Sequence, residues 1–490
     1  MVRAAGGAQR QGGDAGVRRS AAAAIAVGAV MLAALVCGFA TQRPASGAVH
    51  QEANVAVLFT AAQVYEPLAA LRGEERFPQG AQLMVLRSGD AEPLVSGFAA
   101  SADASVSFDA KMVLFAGKQK AGDPWSIWEV AAEGGAPQLV LSGPTDLIRP
   151  LWMPEGRFVY ARRERDGFAL ETAGLDGSNP RRLSFLPGSF VPDDVLRDGR
   201  VLFESGFPLG GGSTPEMFLV YSDGSGVESV RCDHPERSEN AGREHGRQMA
   251  VDSEAAGAGD IVFVQGGRLA RFTSARAAGS GVAAPAGEYA GDVAELPDGR
   301  WLLAMRKAGQ TRFGLSVWKP GTQFATTIEQ DAERNLIEPV LVTPRATPNR
   351  HPSGLHDWAY GNLLALDAQQ SRNGALAEEP AAVRAETLGK DGRVVSLGTA
   401  PVEKDGSFFV QATGDRPLRF VLLDAAGHTL GEEHGWFWVR RGEQRICVGC
   451  HTGPERAPEN RVPEVLLRTT TPVDLTGGAG PTAGPLAGGH

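Results

Sequence analysis

From residue 55 onward the apolar residues come in short runs with polar residues before and after. Typical runs are Met112-Val113-Leu114-Phe115, Phe158-Val159-Tyr160, Val201-Leu202-Phe203 and Trp301-Leu302-Leu303. Runs of this length, bounded by turn residues, predict strands. The turns repeat. Arg87-Ser88-Gly89, Glu133-Gly134-Gly135, Asp176-Gly177-Ser178, Asp223-Gly224-Ser225 and Pro320-Gly321-Thr322 place their central glycines 45, 43, 47 and 97 residues apart. The last interval is two periods, so one unit near Arg271–Gly281 has lost the signature. A second turn runs in step with the first and opens an apolar strand: Asp109-Ala110-Lys111, Gly156-Arg157, Asp198-Gly199-Arg200 and Asp298-Gly299-Arg300. Gly supplies a positive φ at such turns, and Asp bonds its own backbone. Two phased turns in each period of about 45 residues mean about four short strands per unit, the size of a propeller blade. Six units account for residues 55–338, and a β-sandwich with coincidental spacing is the rival reading.

The expected fold is therefore all-β: a six-bladed β-propeller, then a small β-sandwich-like domain over 339–475. Pro339, Pro344, Pro348 and Pro352 read as a linker after the last blade. Alternation resumes from Val394 to Leu430, with tight turns at Asp405-Gly406 and Ala426-Gly427. Residues 476–490 are rich in Gly, Pro and Ala and read as a disordered tail. Gly 63 and Pro 31 in 490 residues exceed average use but stay below low-complexity levels, as suits a turn-rich β protein.

Ahead of the repeats, Arg3, Arg10, Arg18 and Arg19 precede an apolar run from Ala21 to Ala40. Positive charge stays on the cytoplasmic side, so the rest of the chain is expected to be exported, periplasmic in location. Residues 1–48 are either a cleaved signal peptide, with Ser46 and Ala48 placed for cleavage, or a single N-terminal membrane anchor. The net charge of −9 gives no electrostatic footprint for nucleic acid.

Only four cysteines are present, so their placement matters more than their number. Cys447-Val448-Gly449-Cys450-His451 is the attachment pattern of a c-type haem. The thiols of Cys447 and Cys450 add to the haem vinyl groups, and His451 is then placed as an axial ligand of the iron. An exported chain is also what such attachment needs. A zinc site would need a fourth ligand and a redox dithiol a βαβ unit; both stay open as weaker readings. For the opposite face of the iron the candidates are His351, His356, His428 and His434, with His351 favoured. No Met lies between Met305 and the C-terminus. Trp436 and Trp438 are read as packing on the haem or in the sandwich core. Arg440, Arg441 and Arg445 are read as partners for the haem propionates or as a solvated face. In the fifth repeat, His234, Glu236, Glu239, Glu244 and His245 are read as a solvated loop, with a metal or ligand loop as the alternative, and Cys232 as a buried or lone thiol.

Two resemblances follow from these residues. Phe108-Asp109-Ala110-Lys111 and Leu296-Pro297-Asp298-Gly299-Arg300 resemble blades of TolB-type propellers. Trp436–Arg440, Gly442-Glu443, Cys447–His451 and Ala457–Pro463 resemble the haem-bearing middle domain of the hydrazine synthase alpha-subunit family. Arg350–Ser353, Leu363–Asp367 and Asp405–Phe408 are similar to its upstream part. This likeness covers about 339–470, and a propeller also precedes the domain in that family. It implies covalent haem c on Cys447 and Cys450, with His451 as the motif His. The family carries a further haem domain, whereas here the sequence runs 39 residues past His451 with no second motif, so one haem is expected. The functional expectation is an exported monohaem c-type protein for electron transfer or small-molecule redox chemistry, working with a redox partner protein or small molecule. The alternative is a propeller scaffold in the cell envelope with a structural or sensory haem. No Gly-x-Ser-x-Gly elbow supports a propeller hydrolase.

Overall fold

The computed structural model describes residues 55–206, 216–230, 242–273, 279–371, 374–376, 378–433, 435–448 and 460–477. The leader, Cys232, His234, Glu236, Glu239, His434, Cys450, His451 and the end of the tail lie outside the described residues. Among the described residues, no helix is long and apolar enough to cross a membrane.

Six four-stranded antiparallel sheets form the propeller. Blade 2 (Ala100–Val106, Met112–Lys118, Ser126–Ala131, Gln138–Leu141) shows the pattern: its first strand is buried throughout and its last is largely exposed. Blades 3, 4, 5 and 6 begin with Leu147–Met153, Ser189–Val195, Arg243–Gln248 and Glu288–Glu295. Blade 1 joins the two ends of the ring. Its inner strand is Asn335–Leu341, paired with Val57–Ala62, and Gln82–Arg87 and Asp90–Pro93 complete it. Each inner strand touches the next and the sixth touches the first, so the ring is closed.

The repeated turns sit where the period implies. The first set joins the third and fourth strands of blades 1, 2, 3, 4 and 6; the second joins the first and second strands of blades 2, 3, 4 and 6. Two expectations need correction. Pro339 is buried inside the closing strand, so the chain does not break there, and that strand runs on to Leu341. Glu244 and His245 are not solvated: they are 8% and 4% exposed, in the inner strand of blade 5.

The second domain is a β-sandwich. One sheet orders Gln444–Cys447, Tyr360–Ala365, Phe408–Thr413 and Val473–Asp474; the other orders Val394–Pro401, Ala382–Leu388, Arg416–Leu423 and Thr429–Glu432. Leu363, Val383, Ala385, Val410, Leu418 and Val439 fill the space between them. Thr476, placed in the tail by composition, is buried and bonds Asp474, so the sandwich extends through it.

Candidate functional site

Cys447 ends the edge strand Gln444–Cys447, which runs parallel to Tyr360–Ala365 with Cys447 opposite Ala365. Leu366 N–H donates to the Cys447 carbonyl at 3.0 Å, which fixes the strand end. Residues paired across a parallel ladder share a face. Cys447 therefore lies on the side of Leu363 and Ala365, at the rim of the sandwich core, and is half-buried. On either side of it Ile446 is 69% and Val448 46% exposed. A partly accessible thiol between uncovered apolar side chains fits a site that an apolar macrocycle would cover.

The chain is tied down again just beyond the motif. Glu464 N–H donates to Asp405 Oδ2 at 2.8 Å and Val465 N–H to Ser407 Oγ at 3.1 Å, starting the short helix Glu464–Arg468. Val473–Asp474 then joins the opposite edge of the sheet that carries Cys447. The described residues on both sides of 449–459 are thus fixed to one sheet.

The strand leading to Cys447 is also held by the propeller. The turn of blade 4 between Glu216–Val220 and Glu228–Ser229 supplies backbone groups along its length. Trp438 Nε1 donates to Gly224 O at 2.8 Å, Arg445 Nη2 to Val227 O at 2.6 Å, and Gly226 N–H to Glu443 Oε1 at 3.0 Å. Glu443 also accepts from Arg440 N–H at 2.7 Å, and burial pushes its carboxyl up from the usual range. Arg440 bonds the Asp223 carbonyl, pairs with Asp415 at 2.7 Å and lies over the Phe185 ring. Gly224 must be glycine: φ is 84° and a Cβ would lie 2.6 Å from Arg440 Nη1.

These contacts correct the roles read from sequence. Trp438 is 1% exposed and packs among Leu183, Phe190 and Phe203 of blades 3 and 4, not in the sandwich core. Trp436 lies at the edge of the same cluster, beneath Arg419. Arg440 and Arg445 are spent on the propeller contact rather than available to propionates, and Arg441 pairs with Asp415 at 3.4 Å. Sequence patterning missed this interface. Glu443 two residues after Arg440-Arg441 was the only local sign that the Arg cluster had an internal partner.

The histidines are placed as follows. The His351 ring stacks on Tyr221 of blade 4 with centroids 3.7 Å apart, and its Nδ1 is buried without a hydrogen-bond partner. Among the described residues it makes no hydrogen bond or ring contact with the strand of Cys447. His356 stacks on Trp358, which stacks on Tyr360. His428 lies in a surface turn with Nδ1 2.9 Å from Asp424 Oδ2. Among the described residues, no three His, Cys, Asp or Glu side chains converge to hold a metal ion.

With this geometry in place, the comparisons are specific. Residues 365–452 match the family model of the hydrazine synthase alpha subunit middle domain. The match begins at the end of the strand that pairs with Cys447 and ends one residue past the motif, narrower than the 339–470 read from sequence. A chain of Kuenenia stuttgartiensis hydrazine synthase shares the fold: TM-score 0.73 at 17% identity, covering 85% of this chain and 72% of that one. The fold is thus a propeller followed by a hydrazine synthase alpha-like domain. TolB from Acinetobacter baumannii is similar over 59% of this chain and 67% of its own, with TM-score 0.44 and 14% identity. No curated protein matches the sequence.

Proposed function

We propose that the chain is an exported monohaem c-type protein whose haem sits on the hydrazine synthase alpha-like domain and does electron transfer or small-molecule redox chemistry in the cell envelope. The observation that carries this is the setting of Cys447, half-buried at the end of an edge strand with exposed Ile446 and Val448 beside it. The residues present fit the group. Cys447 and Cys450 would hold it by thioether bonds and His451 would ligate its iron. When bound, haem supplies a one-electron redox couple tuned by its ligands.

What the chain itself contributes is position. Glu443, Arg445 and Trp438 fasten the strand of Cys447 to blade 4, so the propeller acts as a rigid base for the site. His351 is engaged with Tyr221, so it is not counted among the residues that would hold the haem, and the bound iron would be able to take up a small ligand such as carbon monoxide. Export follows from the leader in the same proposal, as a soluble periplasmic protein or one tethered by its N-terminus. Its partners are a redox protein or small molecule and not nucleic acid. The test is expression with cytochrome c maturation machinery, followed by reduction and reoxidation with small redox mediators. A haem that cycles supports the proposal. Inert haem, with a protein partner recovered instead, supports the scaffold alternative.

A further inference from the structure

Every inner strand of the propeller carries a β-bulge. The register shifts lie between Ala102 and Ser105, Ile148 and Leu151, Pro192 and Asp194, Glu244 and Arg247, Ala290 and Ala294, and opposite Leu58–Thr60 in blade 1. Asp103, Arg149, His245 and Glu338 take left-handed backbone there, with φ of 54–61°. Bulges re-aim side chains, and non-glycine residues in this region persist only where the surroundings demand it. These four side chains are buried, and their ion pairs and hydrogen bonds cross from blade to blade around the axis. The loop before Gln82–Arg87 closes over the ends where the inner strands begin. Its Arg76 bonds Glu338 at 2.8 Å and also Asp103, and its Tyr65 hydroxyl lies 3.0 Å from His245 Nε2.

Most charges in this compartment are compensated. Arg76 pairs with Asp103 and Glu338. Arg149 lies 3.4 Å from Asp292 and 3.7 Å from Glu338, and Arg247 lies 3.2 Å from Asp292 and 3.5 Å from Asp194. Asp193 and Glu204 of blade 4 are the exception. Glu204 makes no ion pair among the described residues. Asp193 Oδ1 approaches Arg149 Nη2 only to 3.6 Å, and neither atom has a hydrogen-bond partner. The two carboxyls accept from consecutive amides of the blade 5 bulge, His245 N–H to Glu204 and Gly246 N–H to Asp193. Adjacent amides hold the two groups side by side, at 1% and 3% exposure. Among the described residues, Arg149 is the one arginine near the pair and is shared with Asp292 and Glu338, and two neighbouring buried carboxylates with so little compensation cannot both be ionised.

We propose that Asp193 and Glu204 form a proton-binding site, a carboxylic acid–carboxylate pair that keeps one proton inside the closed propeller. A divalent cation is the competing occupant, but no three donors converge on a common point among the described residues. Burial pushes Glu204 up to about 8 and raises Asp193 well above the carboxylate range, the second also through the Glu204 charge. The groups facing the pair are Arg149 from blade 3, Glu244 and His245 from blade 5, and Asp292 from blade 6. Glu244 is itself raised to about 7 by burial, against the pull of His245. Burial would also raise Asp292, but Arg247 and Arg149 beside it hold it well below the usual range. A raised carboxyl favours the fold at low pH, fully below its unfolded value of about 4.3, and that stability is lost as pH rises through the folded value. The proton therefore holds blades 4 and 5 together, and alkali loosens them.

Infrared difference spectra of the full chain, wild type minus the Asp193→Asn/Glu204→Gln double variant, test this at about pH 6. The double variant removes both carboxyls, so the expected difference is loss of one protonated-carboxyl carbonyl stretch together with one ionised-carboxylate stretch. Loss of ionised-carboxylate stretches alone would overturn the proposal. The wild type by itself gives a second reading: the protonated band should bleach between about pH 6 and pH 10, and a band that is absent or unchanged across that range is contrary. A stoichiometric divalent cation in the purified protein would also refute it.

Discussion

Trp438→Ala is the sharpest probe of how the site is held. The indole is 1% exposed and its Nε1 donates to the Gly224 carbonyl at 2.8 Å. Its ring meets Phe185 and Phe190 edge-on, at centroid distances of 6.1 and 6.5 Å. Truncating a buried aromatic of this size costs about 3–5 kcal/mol, because the cavity relaxes only in part. Here the lost contacts lie almost wholly between the sandwich and blades 3 and 4, so the cost falls on docking rather than on either core. Trp438→Phe keeps the ring contacts and leaves the buried Gly224 carbonyl without its donor, a loss of about 1–3 kcal/mol. Urea denaturation of both variants gives the magnitudes, and limited proteolysis in 342–358 reports whether the domains separate. An alanine variant within about 1 kcal/mol of wild type, with an equally protected linker, would refute the claim that this side chain anchors the two domains.

Gly442→Ala should destabilise by at least about 1–2 kcal/mol, since left-handed backbone disfavours a side chain. A Cβ at Gly442 would also lie 1.8 Å from the His356 carbonyl; an unchanged melting temperature would refute that geometry. His351→Ala should leave the ferric spectrum unaltered and the wild type should bind carbon monoxide. A six-coordinate wild type blind to carbon monoxide, with a spectrum changed by this substitution, would put His351 on the iron. Glu204→Gln should flatten the loss of stability between about pH 4 and pH 8 relative to wild type, followed by denaturation across pH; equal slopes would count against a shared proton.

The propeller was legible because its signal is local and repeated. The glycine turns at Gly89, Gly134, Gly177, Gly224 and Gly321 all take positive φ, and each joins the same pair of strands. Blade 5 breaks the period because the sequence carries no glycine turn of this kind between Phe272 and Gly279. What depended on distant partners was not legible. Glu244-His245 looks like a polar loop until the bulge turns it inward, where the partners of His245 are Tyr65 and Glu204. Arg440 and Arg445 look like free cations, because their acceptors are backbone carbonyls more than 200 residues away. Pro339 looks like a break, yet an inner strand with a bulge beside it tolerates proline. The cysteine motif was the reverse case, read from five consecutive residues alone, and the fold adds the edge strand and exposed apolar flanks around Cys447.

The central claim is covalent haem on Cys447 and Cys450, and the pyridine haemochrome of the exported, denatured protein tests it most directly. Wild type should give the spectrum of thioether-bound haem at about one haem per chain. It should also give a haem-stained band on a denaturing gel, and the Cys447→Ala/Cys450→Ala double variant should give neither. Wild-type protein matured in the same cells that carries no covalent haem, or that carries zinc in its place, would contradict the account.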